Sequence, residues 1–285
     1  MMPHYPLAEN FFLPILHGQG KGQRYCIFYP AHPKVQCRGA LIYVHPFAEE
    51  MNKSRRMAAM QSRAFSEKGF CVLQMDLFAC GDSSGEFAEA RWEIWKSDLA
   101  FAHQWLAART TAPISIWGLR LGALLALDYA QEAVGSIKGL LLWQPVINGE
   151  FYLTQFLRLR LANDMLRDSK ENTNGTRAMR ESLAQGKILD IAGYEISPDL
   201  ANAIDSLDAS KMYSNKMHLR WLELVDDLSR IMSPSRQRIV SAWQNAGVDV
   251  ETHFLQSQPF WMTQEIAECP DLIAATTAIF SRVPS

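Results

Sequence analysis

Between residues 114 and 127 an apolar segment, Ile114-Ser115-Ile116-Trp117, runs through Gly118-Leu119-Arg120-Leu121-Gly122 into Ala123-Leu124-Leu125-Ala126-Leu127. The first segment is short and closed by glycine and reads as a buried strand, and the last reads as a helix of strong helix formers. Glycine accepts backbone angles and close approaches that a Cβ forbids, so Gly118 and Gly122 let the chain turn sharply between the two. The result is a strand–turn–helix unit that presents Arg120 just beyond the strand's carboxyl end.

The same alternation runs through most of the chain. Tyr25 to Tyr29 reads as an early strand and Ala40-Leu41-Ile42-Tyr43-Val44 as a clearer one, nearly continuous in apolar residues and suited to a sheet covered on both faces. A polar loop containing Glu49, Glu50, Lys53, Arg55 and Arg56 leads into a helix from Arg56 to Lys68, ended by Gly69, and Phe70 to Met75 forms the next strand. Trp92 to Ala108 is an amphipathic helix, Leu121 to Glu132 another helix, and Ile137 to Trp143 a strand. Strands alternating with helices imply parallel pairing and right-handed crossovers, hence a doubly wound, mostly parallel sheet of the α/β class. Ligands of such sheets bind beyond the strands' carboxyl ends, where His45, Asp76, Arg120 and Gln144 stand.

From about Glu150 to Ser214 the strand rhythm gives way to helical segments such as Phe151 to Leu166 and Leu200 to Leu207, joined by the polar stretch Ser169 to Thr176. This organisation predicts a core domain over 1–149 and 215–285, with 150–214 as a helical cap insertion over the sheet's active edge. The rhythm resumes with a strand from His218 to Val225, a helix from Ser233 to Ala246, a strand from Val250 to Leu255 and a helix from Asp271 to Phe280.

Composition narrows the function classes. A net charge of -2 over 285 residues offers no electrostatic footprint for nucleic acid, and 48% hydrophobic with 20% charged residues is the balance of a folded globular chain. Five cysteines without C-x-x-C spacing predict reduced thiols rather than a disulfide framework or zinc site. No metal-ligand spacing, P-loop or dinucleotide motif is visible, so no metal and no cofactor are expected. Met1 to Leu16 lacks a basic start followed by a sustained apolar stretch, and no later segment has the apolar length of a membrane span, which predicts a cytoplasmic protein. The sequence leaves the oligomeric state open.

Three segments together resemble the α/β-hydrolase superfamily over essentially the whole chain. Leu41 to Phe47 is similar to the strand and loop that supply one oxyanion-hole N–H, Asp76 to Gly85 is similar to the D-x-x-G-x-G-x-S turn, and Gly118 to Gly122 matches the G-x-S-x-G nucleophile elbow. A narrower resemblance is to hydrolase 2 of the exosortase A system, carried by His45 to Met57, Gly118 to Ala123 and Pro259-Phe260-Trp261. That resemblance implies a setting in exopolysaccharide production and the sorting of surface proteins, and an ester- or acyl-class hydrolase ancestry.

At the catalytic positions the sequence departs from the superfamily. Arg120 takes the nucleophile's seat, and a guanidinium has donors only, so it can neither attack a carbonyl nor accept a proton. The resemblance puts the acid at Asp226 or Asp227 and a histidine shortly after Val250 to Leu255, where Gln258, Pro259, Phe260 and Trp261 stand instead; His253 lies too early, inside the strand. Arg120 beside the Leu121 N–H reads as an anion anchor, or as one half of an internal ion pair with Glu49, Glu50, Asp226 or Asp227. His45, Phe47, Gln144 and Trp261 complete the candidate ligand-binding set, with His45 also read as a loop support, Ser83 and Ser84 as turn caps, and Trp143, Phe260 and Trp261 as core filling. Enzymatic activity stays open among three readings: a silent or altered hydrolase holding a small acyl or anionic molecule, a hydrolase or acyltransferase using a water or hydroxyl activated by Asp226 or Asp227, and a non-catalytic interaction partner.

Overall fold

Side chains alternate across a strand, so the near-continuous apolar strands must be buried on both faces. The computed structural model describes residues 7–166, 175–213, 217–228 and 232–282 and provides that cover. In chain order the elements are β1 (Glu9–Ile15), β2 (Gly22–Tyr29), β3 (Gly39–Val44), α1 (Glu49–Glu67), β4 (Phe70–Met75), α2 (Trp92–Ala107), β5 (Ile114–Leu119), α3 (Leu121–Glu132) and β6 (Gly139–Trp143). Then follow α4 (Gly149–Leu166), α5 (Thr176–Ala184), β7 (Leu189–Ile191), β8 (Tyr194–Ile196), α6 (Pro198–Asp205), β9 (His218–Val225), α7 (Pro234–Asn245), β10 (Asp249–Gln256) and α8 (Pro270–Ser281).

The main sheet has the order β1-β2-β4-β3-β5-β6-β9-β10, antiparallel across β1, β2 and β4 and parallel from there on. This is the α/β-hydrolase fold. Its register sets Val44 beside Gly118, Leu119 beside Trp143 and Trp143 beside Leu222, bringing the carboxyl ends of β3, β5, β6 and β9 to one edge. Leu41, Tyr43, Trp117, Leu119, Trp143 and Leu222 face α1 and α8, while Ile42, Val44, Ile116, Leu142 and Trp221 pack on the other face with α2, α3 and α7. Helices α1 and α8 are tied by Gln61 Nε2 to Thr277 Oγ1 at 3.0 Å and by the Phe65 and Phe280 rings at 5.4 Å.

Three local features differ from the sequence expectations. Glu49, Glu50, Lys53 and Arg55 lie in α1 together with Arg56 rather than in a loop before it, since the helix begins at Glu49. Two acidic residues suit its positive N-terminal end, and the buried stripe includes Ser54, Gln61 and Ser62, polar residues that masked the helical period. Strand β1, not foreseen, is an edge strand carrying Pro14, with Phe11 stacked 4.8 Å from Trp105. Between α4 and β9 the chain contains not only helices but the β7–β8 hairpin, whose turn at Ala192-Gly193 has positive φ at both residues (54° and 89°). Such turns are signalled by Asn-Gly or Asp-Gly, and Ala-Gly is a weaker cue. The polar joint expected over 169–176 lies outside the described residues except for 175 and 176.

Candidate functional site

Arg120 sits at the junction of β5 and α3 with φ 56° and ψ -119°, a conformation costing about 1–3 kcal/mol for a residue with a Cβ. Its surroundings hold it there. The Arg120 N–H donates to Trp143 O at 3.0 Å, and its carbonyl accepts from Val146 N–H and Ala123 N–H, each at 3.1 Å. A Cβ on Gly118 would stand 2.4 Å from Ala123 Cα, and one on Gly122 would stand 2.4 Å from both the Val44 and His45 carbonyl oxygens. Only glycine permits so close a passage of the turn against β3, so the two glycines set the seat that Arg120 occupies.

The Arg120 guanidinium reaches across the carboxyl edge of the sheet to the first turn of α1. Its Nε donates to Glu50 Oε1 at 3.2 Å, and the Tyr152 hydroxyl of α4 donates to Glu50 Oε2, also at 3.2 Å. Its carbon lies 5.7 Å from the Tyr152 ring centroid and 5.4 Å from that of Trp261. Of the four candidate carboxylates, it is Glu50 that pairs with Arg120. Burial raises the Glu50 carboxyl above its ordinary range, with Arg120 and Tyr152 pulling the other way, and burial likewise pushes the Tyr152 phenol well up. Only Nε of the guanidinium makes a hydrogen bond to the described residues. Two further donors have no acceptor among the described residues: the Leu121 N–H, which stands at the first helical position, and the buried Trp261 Nε1.

Behind Arg120 lies a second polar cluster, joining the candidate Gln144 to Glu223, which the sequence did not single out. Glu223, buried in β9, accepts from Trp221 Nε1 at 2.6 Å and Gln144 Nε2 at 3.0 Å. Arg236 Nε stands 2.7 Å from Glu223 Oε1, close in distance but off the N–H axis. Burial raises the Glu223 carboxyl, opposed by Arg236, Trp221, Arg120 and Gln144 in that order. Gln144, at φ 42°, also accepts the Leu224 N–H at 2.7 Å, so both ends of its amide are engaged and it braces Glu223. The available signal was a single charge inside the apolar run Trp221-Leu222-Glu223-Leu224-Val225. Tyr152 had no comparable signal, because an aromatic on a helix face reads as core.

Other candidates are committed to local structure. His45 is buried, its Nε2 accepts the Leu77 N–H at 3.2 Å and its Nδ1 bonds the Pro46 carbonyl at 2.8 Å, so the ring is a neutral brace between two loops. Burial lowers its pKa, consistent with that tautomer. Phe47 packs among Phe87, Trp95, Tyr152 and Phe156. Glu49, on the exposed side of α1, receives the Tyr194 hydroxyl at 3.4 Å. Ser83 ties the Asp76 carbonyl to the Tyr25 N–H, Ser84 accepts from Gln23 N–H, and Arg55 grips Asp76 through both nitrogens at 3.2 and 2.8 Å. Burial pushes the Cys80 thiol far up, which denies it a thiolate. Trp143 and Phe260 are core: Trp143 donates to Thr276 Oγ1 at 3.0 Å and packs against Trp117 and Phe260.

Asp226 and Asp227 follow β9 on the exposed rim, where the Asp226 carbonyl accepts from Gln256 Nε2 at 2.8 Å. His253 lies in β10 beside Glu251. Among the described residues no histidine ring hydrogen-bonds the side chain of a serine, threonine or cysteine. Also among them, no group of three or more His, Cys, Asp or Glu could hold a metal ion, and no helix is long and apolar enough to cross a membrane. The cavity beneath the elbow, lined by His45, Phe47, Cys80, Trp95, Leu121 and Leu125, has a volume of about 10 Å³.

The family model described as serine aminopeptidase, S33, matches residues 35–230, from before β3 to just beyond β9. The chain belongs to this family. Solved α/β-hydrolase structures show the S33-family chain's fold at low identity. Est1E from Butyrivibrio proteoclasticus with bound ferulic acid is 11% identical, with 91% of this chain and 94% of that one covered at a TM-score of 0.64. A thermostable carboxyl esterase from Bacillus coagulans is 14% identical, with 96% of each chain covered and a TM-score of 0.63. A monoglyceride lipase variant from Saccharomyces cerevisiae is 14% identical, with 98% and 95% covered and a TM-score of 0.62. No curated protein matches the sequence. In this S33-family chain the elbow of β5 and α3 carries Arg120 and its carboxylate partner comes from α1.

Proposed function

We propose that this S33-family chain has exchanged serine-type acyl transfer for binding, and that Arg120 is the anchor for a small acyl molecule ending in a carboxylate. The supporting observation is the half-made pair at the elbow. Glu50 meets Arg120 through one nitrogen at 3.2 Å, although guanidinium and carboxylate form a two-bond fork when both are free to align. The terminal guanidinium nitrogens, the Leu121 N–H at a helix N-terminus and the orphaned Trp261 indole N–H leave donors in excess of acceptors. A ligand carboxylate supplies what is missing and displaces Glu50, whose burial already favours its neutral form.

Covalent catalysis needs a nucleophile, a base beside it and a place for the oxyanion. In this proposal only the last is kept, because Arg120 holds the nucleophile's seat and Phe260 and Trp261 fill the space of the histidine loop. The rival mechanism, a water or hydroxyl activated by Asp226 or Asp227, finds less support, since both stand on the exposed rim and the Arg120 contact goes to Glu50. An interaction role is favoured by one observation, the 10 Å³ cavity at the elbow, which admits no more than a water. The resemblance of residues 45–57, 118–123 and 259–261 to hydrolase 2 of the exosortase A system gives the proposed setting, exopolysaccharide production and the sorting of surface proteins, for a chain that we take to act from the cytoplasm.

The test uses purified full-length protein. Butyrate and octanoate are expected to raise its melting temperature, Arg120→Met to abolish the rise, and turnover of p-nitrophenyl butyrate to stay at background. Turnover above background that disappears in Asp226→Asn would establish the hydrolytic mechanism instead. No thermal response to either acid, together with a stoichiometric complex isolated from cells, would leave the interaction role standing.

A further inference from the structure

At the opposite end of the sheet, the amino ends of the parallel strands carry a polar groove that the elbow chemistry does not use. His218 and Arg220 project from one face of β9, and Asp249, Glu251 and His253 from the same face of β10, with Asp249 opposite His218 and Glu251 opposite Arg220. With Lys138, Ile279 and Arg282 they line a cavity of about 490 Å³. A second cavity of about 170 Å³ shares Lys138, His218 and Arg220 with it and extends along Arg38, Phe70, Pro113 and Phe280.

The charges do not balance. Asp249 pairs with His218, and Glu251 lies 3.4 Å from His253 Nε2 and 3.7 Å from Arg220 Nε. Lys138, Arg38 and Arg282 have no carboxylate partner among the described residues; Arg38 donates to the Ser281 carbonyl at 2.6 Å and lies over the Phe70 ring. Four permanent cations therefore share the lining of the two cavities with two carboxylates. Arg220 is 8% exposed and ion-paired with Glu251 at 3.7 Å, but its solvent-shielded Nε has no hydrogen-bond acceptor among the described residues. A buried donor without an acceptor is costly, and an anion in the adjoining space supplies one.

We propose that this groove binds a phosphorylated small molecule with a flat apolar portion. The phosphate lies among Lys138, Arg220 and Arg282, which approach from the β6 entry, β9 and the end of α8, and the apolar portion lies against Phe70 and Phe280. Phosphate is selected because its oxygens accept several charge-assisted hydrogen bonds at once, which suits cations arriving from separate elements. The site is remote from Arg120 along the strands, so its occupancy is independent of the elbow.

Phenyl phosphate, inorganic phosphate and phenol are the probes, titrated calorimetrically into the full-length protein at fixed ionic strength. Phenyl phosphate is expected to bind at least about tenfold more tightly than inorganic phosphate, with phenol silent. Lys138→Ala and Arg282→Ala, at exposed positions that do not endanger folding, are each expected to weaken binding about three- to tenfold, and Arg220→Met to weaken it further. Arg120→Met is expected to leave it unchanged. Absence of phenyl phosphate binding, affinity untouched by Lys138→Ala and Arg282→Ala, or loss of binding in Arg120→Met alone would overturn the proposal.

Discussion

Arg24 and Arg120 each meet a carboxylate inside the same domain, and the two pairs are built to opposite ends. Arg24 and Asp98 have side-chain exposures of 0% and 1%, a 2.8 Å contact, and further bonds from Arg24 Nη2 to the Gly20 carbonyl at 2.6 Å and from Phe78 N–H to Asp98 at 2.7 Å. The guanidinium also lies 4.7 Å from the Phe78 ring centroid. The Arg120 and Glu50 side chains are each 17% exposed, meet at 3.2 Å, and have only the Tyr152 side chain as a further hydrogen-bonding partner among the described residues. One pair fastens β2 to α2 behind the Asp76 turn, and the other stands at the elbow where a ligand can compete for either member. Position in the fold, more than residue type, separates a structural ion pair from a replaceable one.

Breaking the buried pair carries the largest expected effect. Asp98→Ala strands the Arg24 guanidinium without its counter-charge and is expected to cost about 3–5 kcal/mol in urea unfolding. The pair also has a pH signature. Burial raises the Asp98 carboxyl from its ordinary 3.8 to about 6, outweighing the opposing pull of Arg24 and of the Phe78 N–H. Because the folded pKa lies above the unfolded one, the folded state binds the extra proton: the stabilisation is fully present below about pH 4 and is lost as pH rises through about 6. At about 1.36 kcal/mol per pH unit the swing is about 3 kcal/mol, and Asp98→Asn is expected to remove that slope from the stability profile. A profile with the same slope in the variant would mean that the two pairs are not distinguished by burial.

The elbow pair is expected to respond in the other direction when its carboxylate is removed. Glu50→Gln keeps the side-chain shape, frees Arg120 from its internal partner, and is expected to cost no more than about 1 kcal/mol in stability. Carboxylate affinity is expected to rise about tenfold, equivalent to about 1.4 kcal/mol, measured by calorimetry with butyrate. A loss of several kcal/mol in stability with no gain in affinity would make Arg120–Glu50 a second structural pair and remove the basis of the binding proposal.

The difference between the two pairs also explains what was legible in the chain. The strand–helix rhythm and the glycine pair at Gly118 and Gly122 carried the central fold, because burial on both faces writes near-continuous apolar runs and close passage of backbone excludes any Cβ. The choice of Glu50 among four carboxylates was not legible, since it depends on α1 starting at Glu49, and polar residues in the buried stripe of that helix hid its first turns. Arg24–Asp98 was invisible for a related reason: its members are 74 residues apart and meet only because the β2–β4 register brings Cys26 beside Met75. Glu223 left a trace, a charge inside an apolar strand, but its partner Gln144 lies 79 residues away, and Arg236 comes from the helix that follows the strand.

Tyr152 offers the finest discrimination and the smallest expected effect. Its hydroxyl reaches Glu50 at 3.2 Å, long for an O–H donor to a carboxylate, while its ring faces the Arg120 guanidinium at 5.7 Å. Tyr152→Phe removes the first contact and keeps the second, so the expected loss is about 0.5–1 kcal/mol in chemical denaturation. The carboxyl of Glu50, raised by burial, loses one of the bonds that favour its charged form and is expected to rise further, loosening its hold on Arg120. Carboxylate affinity should then move in the same direction as in Glu50→Gln but by a smaller factor. A Tyr152→Phe protein that binds butyrate less tightly would show that the hydroxyl serves the ligand rather than Glu50, and would move the carboxylate-binding donor from the guanidinium to the face of α4.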